Sequence, residues 1–427
     1  MTRVIVIGAG AAGTMAAIYA ADAGAFDETL LVERTQDGGR KILISGGGRC
    51  NVLPARVDES RFVTDSSPNL LRKLVRAWPL AEQRAFFEQT LGIPLVEEPE
   101  SAKLFPVSNK ARDVRDGLLA QARAKGVRIV FDTRVTGIEP ARATATGTTG
   151  ASTRYPAPRW IVRVDGGEPL TADAVIVATG GLSVPNTGSD GAGLAFLERL
   201  GHAMHPTYAA LTPVTADAPD FGSLSGVSLR VTLHARAAAR SATASGGFLF
   251  THRGYSGPSV LDVSHVLVRA RAEGTGARLT VQWTPLGDAE WNEALSPARD
   301  RPGLSVLGAI RAHAPDRLAA VLIARAAVDP ARPLAELRRE ERRRLIDTLV
   351  RGDLPWNGDE GYKKAEVTGG GVALSEVHPR TMESRRHPGL YLCGEVLDAF
   401  GPIGGYNFHW AWSTGRAAGL GAAQAHG

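Results

Sequence analysis

The sequence predicts an α/β protein in which a domain built on a parallel sheet is interrupted by an inserted domain with an antiparallel β part and a small helical part. Two apolar runs, at 4–7 and 174–178, lead straight into glycines, which is typical of buried parallel strands that end at a ligand site. Between about His205 and Pro285 apolar and polar residues alternate over short segments, which indicates antiparallel strands. Over 288–352 the apolar spacing becomes helical.

The elements follow from local patterns in chain order. The strand at 4–7 is followed by a glycine turn, an Ala-rich helix over 14–23 and a second strand at 29–32, which together make a βαβ unit. Further elements are predicted by their apolar periodicity and turn residues: helices around 69–90 and 111–125, strands at 127–130 and 160–164, an exposed hairpin tip at 141–153, a strand at 389–393, and a helix that begins near Asn407.

The changes in pattern set the expected domain boundaries. Residues 1–203 and 364–427 are predicted to form the first and last parts of the parallel-sheet domain. Residues 204–287 are predicted to form the inserted β subdomain, and residues 288–363 the inserted helical subdomain.

Composition and charge exclude several classes of protein. Of the 427 residues, 44% are hydrophobic and 22% are charged, which excludes disordered, collagenous and coiled-coil chains. A net charge of +5 over this length does not by itself imply nucleic acid binding. The chain has two cysteines and no C-x-x-C, so we expect neither a disulfide scaffold nor a bound metal. The apolar runs are too short for a signal peptide or a membrane span, so we expect a cytoplasmic protein with no membrane partner.

The first glycine turn indicates a dinucleotide site with a Rossmann-like fold. In its G-x-G-x-x-G pattern, Gly8 permits a tight turn, Gly10 lets the backbone approach a pyrophosphate, and Gly13 allows close packing of helix on strand. Glu33 follows Gly13 by 20 residues, where an acidic side chain accepts hydrogen bonds from ribose hydroxyls.

Later glycine segments favour FAD over NAD as the dinucleotide. FAD is longer, so its ribityl chain and ring must be held by later parts of the chain. Residues 179–181 provide one such segment, and residues 394–395 and 401–407 provide another just before the last helix, where backbone N–H groups can stabilise negative charge on a reduced flavin. No second G-x-G-x-x-G follows a strand, so a dedicated nicotinamide domain is not expected.

The order of motifs is similar to that of a known family. Residues 39–51 read GRKILISGGGRCN, 104–108 read LFPVS, and 249–258 read LFTHRGYSGP, followed by the closing glycine segments. This order closely resembles the BaiN/YhiN-like flavoproteins, often called aminoacetone oxidase family FAD-binding enzymes, of the glutathione-reductase-like FAD superfamily. The resemblance covers nearly the whole chain and implies a GR2-type FAD-binding domain with an inserted domain. His409, where the family has Gln, and Tyr255, where it has Leu, depart from the pattern and bear on the substrate.

The resemblance also implies which residues hold FAD. It assigns the glycine turn to the pyrophosphate, Glu33 to the ribose and the backbone of Val135 to the adenine. It assigns Glu395 to the ribityl or phosphate region, and residues 405–407 to the isoalloxazine. The full set of expected FAD-binding residues is Gly8, Gly10, Ala11, Ala12, Gly13, Glu33, Arg34, Arg40, Lys41, Ser45, Gly46, Gly47, Arg49, Cys50, Asn51, Val135, Thr179, Gly180, Gly181, Gly394, Glu395, Gly405, Tyr406 and Asn407.

Three residues are candidates for catalysis. His252 lies in the Thr-His-Arg-Gly-Tyr-Ser-Gly-Pro turn and is a candidate acid or base, because imidazole titrates near neutral pH. Tyr406 and Asn407 are candidates because the resemblance places them at the flavin. The alternative for His252 is hydrogen bonding that holds its turn, and the alternative for Tyr406 is flavin packing. We expect Cys50 to be a buried thiol rather than a redox group.

These residues predict an FAD-dependent oxidoreductase acting on a small-molecule substrate. One hypothesis is a reductase that uses NAD(P)H to reduce a small or planar substrate such as a conjugated enone. The alternative is an amine or aminoketone oxidase that passes electrons to O₂, and the sequence does not choose between them.

Two further hypotheses are an RNA-associated flavoprotein and a non-catalytic FAD-binding sensor. Nucleic acid is not expected as a partner, because the arginines of residues 338–344 alternate with Glu and lack stacking aromatics. The oligomeric state is left open.

Overall fold

The computed structural model describes residues 1–141, 159–297 and 303–426 and shows a mixed α/β protein. The chain divides into two compact units: unit 1 comprises Met1–Thr207 and Val367–Gly427, and unit 2 comprises Tyr208–Glu366. Most of the predicted hairpin tip, from 142 onward, lies outside the described residues. Each helix within the described ranges is too short or too polar to cross a membrane.

The strands are short, and they are numbered in chain order. They are β1 (Arg3–Ile7), β2 (Glu28–Val32), β3 (Leu53–Pro54), β4 (Leu95–Glu98), β5 (Lys103–Pro106), β6 (Arg128–Val130), β7 (Val135–Pro140), β8 (Trp160–Val164), β9 (Leu170–Ala172), β10 (Ala174–Val177), β11 (Met204–Ala210), β12 (Val214–Thr215), β13 (Ser228–Ala237), β14 (Ser241–Thr251), β15 (Gly254–Ser256), β16 (Ala277–Gln282), β17 (Gly352–Asp353), β18 (Gly358–Asp359), β19 (Val367–Val372) and β20 (Leu390–Leu392).

The α-helices are numbered in the same way. They are α1 (Ala11–Asp22), α2 (Arg40–Ile44), α3 (Pro68–Val75), α4 (Leu80–Ala85), α5 (Ala111–Ala124), α6 (Ala192–Arg199), α7 (Pro219–Gly222), α8 (Pro258–Ala272), α9 (Asp288–Ala294), α10 (Val306–Arg311), α11 (Asp316–Arg325), α12 (Arg339–Arg351) and α13 (Tyr406–Gln424).

The core of unit 1 is a five-stranded parallel sheet with the order β20–β10–β1–β2–β6. In this sheet Ile5 of β1 lies between Val175 of β10 and Leu30 of β2. The side chains of β1 and β10 are almost all buried, as expected for parallel strands that are covered on both faces. The parallel sheet predicted from the two apolar runs is therefore confirmed.

Helices α1 and α13 of unit 1 pack through small residues. A Cβ atom added at Gly415 would lie 2.3 Å from the carbonyl oxygen of Ala12, and one added at Gly419 would lie 2.3 Å from that of Ala16. The two backbones are therefore in direct contact, and they run in the same direction. This packing holds together the two helices whose N-terminal ends follow the first and last predicted cofactor segments. Unit 1 also contains the small sheets β3–β5–β4 and β7–β8–β9.

Unit 2 is built on a seven-stranded sheet with the order β17–β16–β13–β14–β15–β12–β18. Its pairs are antiparallel; Leu233 of β13, for example, lies between Ala244 of β14 and Val281 of β16. The alternation along β13 places Val231, Leu233 and Ala235 in the core. Helices α9 to α12 lie between β16 and β17 in sequence and bury their apolar faces in the same core. The predicted antiparallel and helical parts are therefore confirmed.

Candidate functional site

The first glycine turn has the geometry of a nucleotide-binding turn. Gly8 has a φ of +103°, which an L side chain rarely adopts, and a Cβ atom at Gly13 would lie 1.8 Å from the Gly8 carbonyl oxygen. By contrast, a Cβ atom at Gly10 would meet nothing within 4 Å. Gly8 and Gly13 are thus required by the fold itself, whereas the missing side chain of Gly10 leaves open space in front of the first residues of α1. The first turn of α1 carries no acidic side chain, so its N–H groups suit an anion.

The carboxylate of Glu33 lies beside this turn at the end of β2. It is 7% exposed. It accepts a 2.8 Å hydrogen bond from the backbone N–H of Ala9 and bonds of 2.8 and 2.7 Å from the N–H and hydroxyl of Thr35. Glu33 therefore holds the turn in place.

A cavity of about 440 Å³ opens next to Glu33. It is lined by Arg34, Thr35, Gln36, Arg40, Asp132, Pro185, Asn186 and Gly188. Arg34 forms an ion pair with Asp190, and the Arg40 side chain lies 2.7 Å from Asp37. Two of the predicted FAD-binding arginines thus line a polar cavity, and each already has an acidic partner.

Lys41 and Glu395, predicted separately as FAD ligands, bind each other. The Lys41 Nζ atom lies 2.9 Å from Glu395 Oε2 and donates a 2.7 Å hydrogen bond to Ser183. Ser183 donates from its hydroxyl to Glu395 Oε1 at 2.8 Å, and the backbone N–H of Thr368 donates to the same oxygen at 2.9 Å. Burial raises the pKa of Glu395, but the Lys41 charge and the hydrogen bonds outweigh it, so the pKa lies below its ordinary value. Glu395 is therefore an anion that positions Lys41.

The loop between α2 and β3 contains the Ser-Gly-Gly-Gly-Arg-Cys-Asn run. Gly46 and Gly47 have φ values of +55° and +67°, and Cys50 has a φ of +60°. Burial raises the pKa of the Cys50 thiol to about 12, so it is an unreactive thiol at neutral pH. Asn51 is 8% exposed, and its Oδ1 atom has no hydrogen-bond partner in the described part of the chain. A buried amide oxygen without a partner is costly, so this atom marks a place for a ligand donor.

Arg49, predicted as a phosphate partner, is engaged by protein groups. Its guanidinium lies 4.1 Å from the centre of the Phe105 ring and 3.0 Å from a carboxylate oxygen of Glu98. It fastens the loop to the small β3–β5–β4 sheet.

Tyr406 and Asn407, which were predicted to contact the flavin, hold the last glycine segment in place. Asn407 accepts a hydrogen bond from the N–H of Gly401 and donates one to its carbonyl, both at 2.9 Å. The hydroxyl of Tyr406 donates to the carbonyl of Arg56 at 3.2 Å. A Cβ atom at Gly405 would lie 2.4 Å from the backbone of Leu53. The side chains of Tyr406 and Asn407 therefore shape the loop that leads into α13.

The other predicted residues divide between the two units. Val135 is buried at the start of β7, and the segment 179–181 follows β10 at the carboxyl end of the parallel sheet. Gly394, which follows β20, has a φ of +75° and would place a Cβ atom 2.8 Å from that of Ala12. His252 lies in unit 2, exposed in the turn between β14 and β15. Sequence reasoning missed Ser183 and Thr368, because a lone hydroxyl residue carries no pattern.

The residues of unit 1 described above fit FAD. The open space at Gly10, the N-terminus of α1 and the unpartnered oxygen of Asn51 are all polar features that a ligand would satisfy. Glycine segments after β1, β10 and β20 all lie at the carboxyl ends of parallel strands, which is where ligands bind in this class of fold. In the described ranges no group of three or more His, Cys, Asp or Glu residues is placed to hold a metal ion.

Comparisons with known proteins agree with this geometry. A family model described as "HI0933-like protein Rossmann domain" matches residues 2–421. The chain is 30% identical to the 3-dehydro-bile acid delta(4,6)-reductase of Clostridium scindens, over 99% of this chain and 100% of the relative. It is 32% identical to a ribosomal RNA dihydrouridine synthase of Escherichia coli, over 97% and 96%. A 3-ketosteroid delta1-dehydrogenase from Sterolibacterium denitrificans shares the fold over the whole of both chains, with a TM-score of 0.54 at 13% identity.

Proposed function

The chain belongs to the HI0933-like family of Rossmann-domain proteins, and from this premise we propose that it uses NAD(P)H to reduce a carbon–carbon double bond conjugated to a carbonyl group. The protein is an FAD-dependent oxidoreductase. FAD supplies the hydride chemistry, and the chain supplies position and charge stabilisation.

The names of the two full-length relatives carry the proposal. One is a delta(4,6)-reductase of 3-dehydro bile acids, and the other makes dihydrouridine. Each name describes the loss of a carbon–carbon double bond. In each case that bond is conjugated to a carbonyl: the 3-keto group of the steroid or the C4 carbonyl of uracil. Neither name describes oxidation of an amine, so the oxidase alternative has no comparable support.

The chain's own residues support a bound flavin in the following way. We propose that Gly10 and the N-terminus of α1 receive the pyrophosphate, and that Glu33 binds the ribose. Glu395 and Ser183 hold the Lys41 side chain in position, and its positive charge would stabilise the bound FAD. The loop at 401–405, fixed by Asn407, presents backbone N–H groups ahead of α13, where they can stabilise negative charge.

A second candidate acceptor is uracil in ribosomal RNA. The Escherichia coli relative favours it, since its identity and coverage match those of the bile-acid relative. In this case the protein binds RNA, against the expectation from the charge pattern. Both acceptors require the same reduction of a conjugated double bond, so the reaction class does not depend on the choice.

The reaction class is tested by anaerobic absorbance spectroscopy of the purified, FAD-loaded protein. We expect NADPH or NADH to bleach the flavin band. We then expect 4-androstene-3,17-dione or a ribosomal RNA transcript to restore the band, with one double bond lost per flavin reoxidised. Reoxidation by the steroid alone supports a small planar acceptor, whereas reoxidation by the transcript alone supports uracil. A flavin that neither nicotinamide reduces would contradict the proposal.

The pyrophosphate site is tested by Gly10→Ala. A methyl group at Gly10 meets no protein atom and its φ of −80° suits alanine, so the FAD-free protein should keep its stability. The methyl group would, however, stand in the way of a pyrophosphate. We expect the Kd for FAD, measured by fluorescence quenching, to rise at least tenfold. An unchanged Kd would place the pyrophosphate elsewhere.

A further inference from the structure

Three polar side chains of unit 1 meet at the carboxylate of Asp398. This carboxylate is 2% exposed, and its Oδ2 atom accepts 2.9 Å hydrogen bonds from the N–H groups of Asp65 and Ser66. The hydroxyls of Thr64 and Ser66 donate to the same oxygen at 2.9 Å. The Nε2 atom of His205 lies 3.6 Å from it and 3.3 Å from the Ser66 oxygen. We call Thr64, Ser66, His205 and Asp398 the Asp398 cluster.

The hydrogen bonds of the Asp398 cluster fix the protonation pattern of His205. The Ser66 hydroxyl donates to Asp398, so it can only accept from His205, and Nε2 must therefore carry a hydrogen. The other ring nitrogen, Nδ1, makes no hydrogen bond to the part of the chain that the structure describes. The side chain is 29% exposed. Nδ1 is thus the ring nitrogen that makes no hydrogen bond to the described residues.

The Asp398 cluster adjoins the loop that leads into α13. Asp398 precedes Gly401 by three residues, and between them Phe400 exchanges two backbone hydrogen bonds with Val63, of 2.8 and 3.1 Å. The N–H of Asp398 donates to the carbonyl of Val372, the last residue of β19, at 2.9 Å. The cluster therefore lies next to the last glycine segment.

The alternative proton donors are less suitable. The Tyr406 hydroxyl and the Asn407 amide are used by backbone groups. Burial lowers the pKa of His409 to about 4, so His409 is a neutral core residue at neutral pH. His205 combines partial exposure, a carboxylate partner and a free ring nitrogen.

On the basis of the function proposed above, we propose that His205 is the catalytic acid that protonates the substrate. Reduction of the double bond adds a hydride at the β carbon, and the carbon–carbon π pair then takes a proton at the α carbon. The hydride would come from reduced FAD held by the residues of unit 1 described above. The proton leaves Nδ1 of the His205 imidazolium. Asp398 and Ser66 are positioning residues, since they hold the ring through Nε2, and the neutral imidazole regains its proton from solvent.

The test separates the two half-reactions of FAD-loaded His205→Gln by stopped-flow absorbance. Gln keeps a donor for Ser66 and Asp398 but has no proton to release. We expect flavin reduction by NADPH to stay within twofold of wild type. We expect reoxidation by 4-androstene-3,17-dione or by a ribosomal RNA transcript, whichever wild type uses, to slow at least 100-fold. His426→Gln, two residues beyond the end of α13, is the matched control and should behave as wild type.

A binding measurement gives a second readout that does not depend on turnover. A phenolate resembles the enolate that forms when hydride adds to an enone, and the imidazolium should hold it. We expect the Kd of 4-chlorophenol, measured by calorimetry, to rise at least tenfold in His205→Gln. His205→Asn serves as the second variant if the Gln variant does not fold or bind FAD.

The outcomes separate the two proposals. Wild-type reoxidation rates in the His205 variants, with unchanged 4-chlorophenol binding, would overturn the role of His205 and leave the proposed function standing. A wild-type flavin that neither acceptor reoxidises would overturn both. Partial rescue of the slow variants by added imidazole would support a direct proton transfer.

Discussion

Replacement of His409 by Gln should change how the stability of unit 1 depends on pH. His409 lies in α13, is 2% exposed, and its Nε2 atom bonds to the carbonyl of Val75 at 3.2 Å. Nδ1 has no partner in the described part of the chain. Burial lowers the pKa of His409 to about 4, and the bond to Val75 opposes this only in part. In the unfolded chain the pKa returns to its ordinary value of about 6.5.

The sign and size of the effect follow from these two pKa values. Below about pH 6.5 the unfolded chain binds a proton at His409 that the folded chain does not bind until about pH 4. The stability contributed by His409 is therefore fully present above pH 6.5 and is lost as the pH falls toward 4. The difference of about 2.5 pKa units corresponds to a loss of about 3 kcal/mol.

Gln cannot take up a proton, yet its amide N–H can still reach the Val75 carbonyl. Urea unfolding, followed by tryptophan fluorescence at pH 7.5 and 4.5, should therefore show that His409→Gln gains about 2–3 kcal/mol over wild type on acidification. The exposed His252 provides the control, and His252→Gln should follow wild type at both pH values. If wild type and His409→Gln lose stability in parallel, the imidazole is not held neutral by burial and the reasoning is wrong.

Three further substitutions test the packing by thermal and urea unfolding. Gly13→Ala places a methyl group 1.8 Å from the Gly8 carbonyl oxygen, so it should cost at least about 3 kcal/mol even without FAD, and a smaller loss would mean that α1 can shift. Asn407→Ala removes two hydrogen bonds to Gly401, so the free energy of unfolding should fall by about 2 kcal/mol and FAD should bind less tightly. Unchanged FAD affinity would show that the loop does not need this restraint. Tyr255→Phe removes a buried hydroxyl without a partner in the described residues, so we expect a gain of about 1 kcal/mol, and a loss would reveal a partner for that hydroxyl.

Much of the fold was predictable because its signals are local. The apolar run of β1, the glycines after it and the Ala-rich sequence of α1 form a pattern that can be recognised without knowing their distant partners. The alternation in β13 and the helical spacing of α11 and α12 are local in the same sense. The spacing of apolar residues shows which face of an element is buried. This was sufficient to predict whether each of these elements is a helix or a strand.

The side-chain roles in the site were not predictable in this way. Lys41 and Glu395 are 354 residues apart, and only the structure shows that they bind each other. Only the structure likewise shows that Tyr406 and Asn407 hold backbone segments. Their expected roles at FAD stay predictions. His205 was not singled out as a candidate, because a single histidine near the start of a strand has no motif around it.

The sequence by itself therefore determined the βαβ unit, the glycine turn and its nucleotide chemistry, and the two classes of sheet. These depend on backbone conformation and on the burial of neighbouring side chains, which residue type and spacing control. Only the tertiary structure decided which polar groups are satisfied within the protein and which remain open to a ligand. Asp398 and Ser66 are 332 residues apart in the chain, and hydrogen-bond partners at that separation are set by the packing of whole elements.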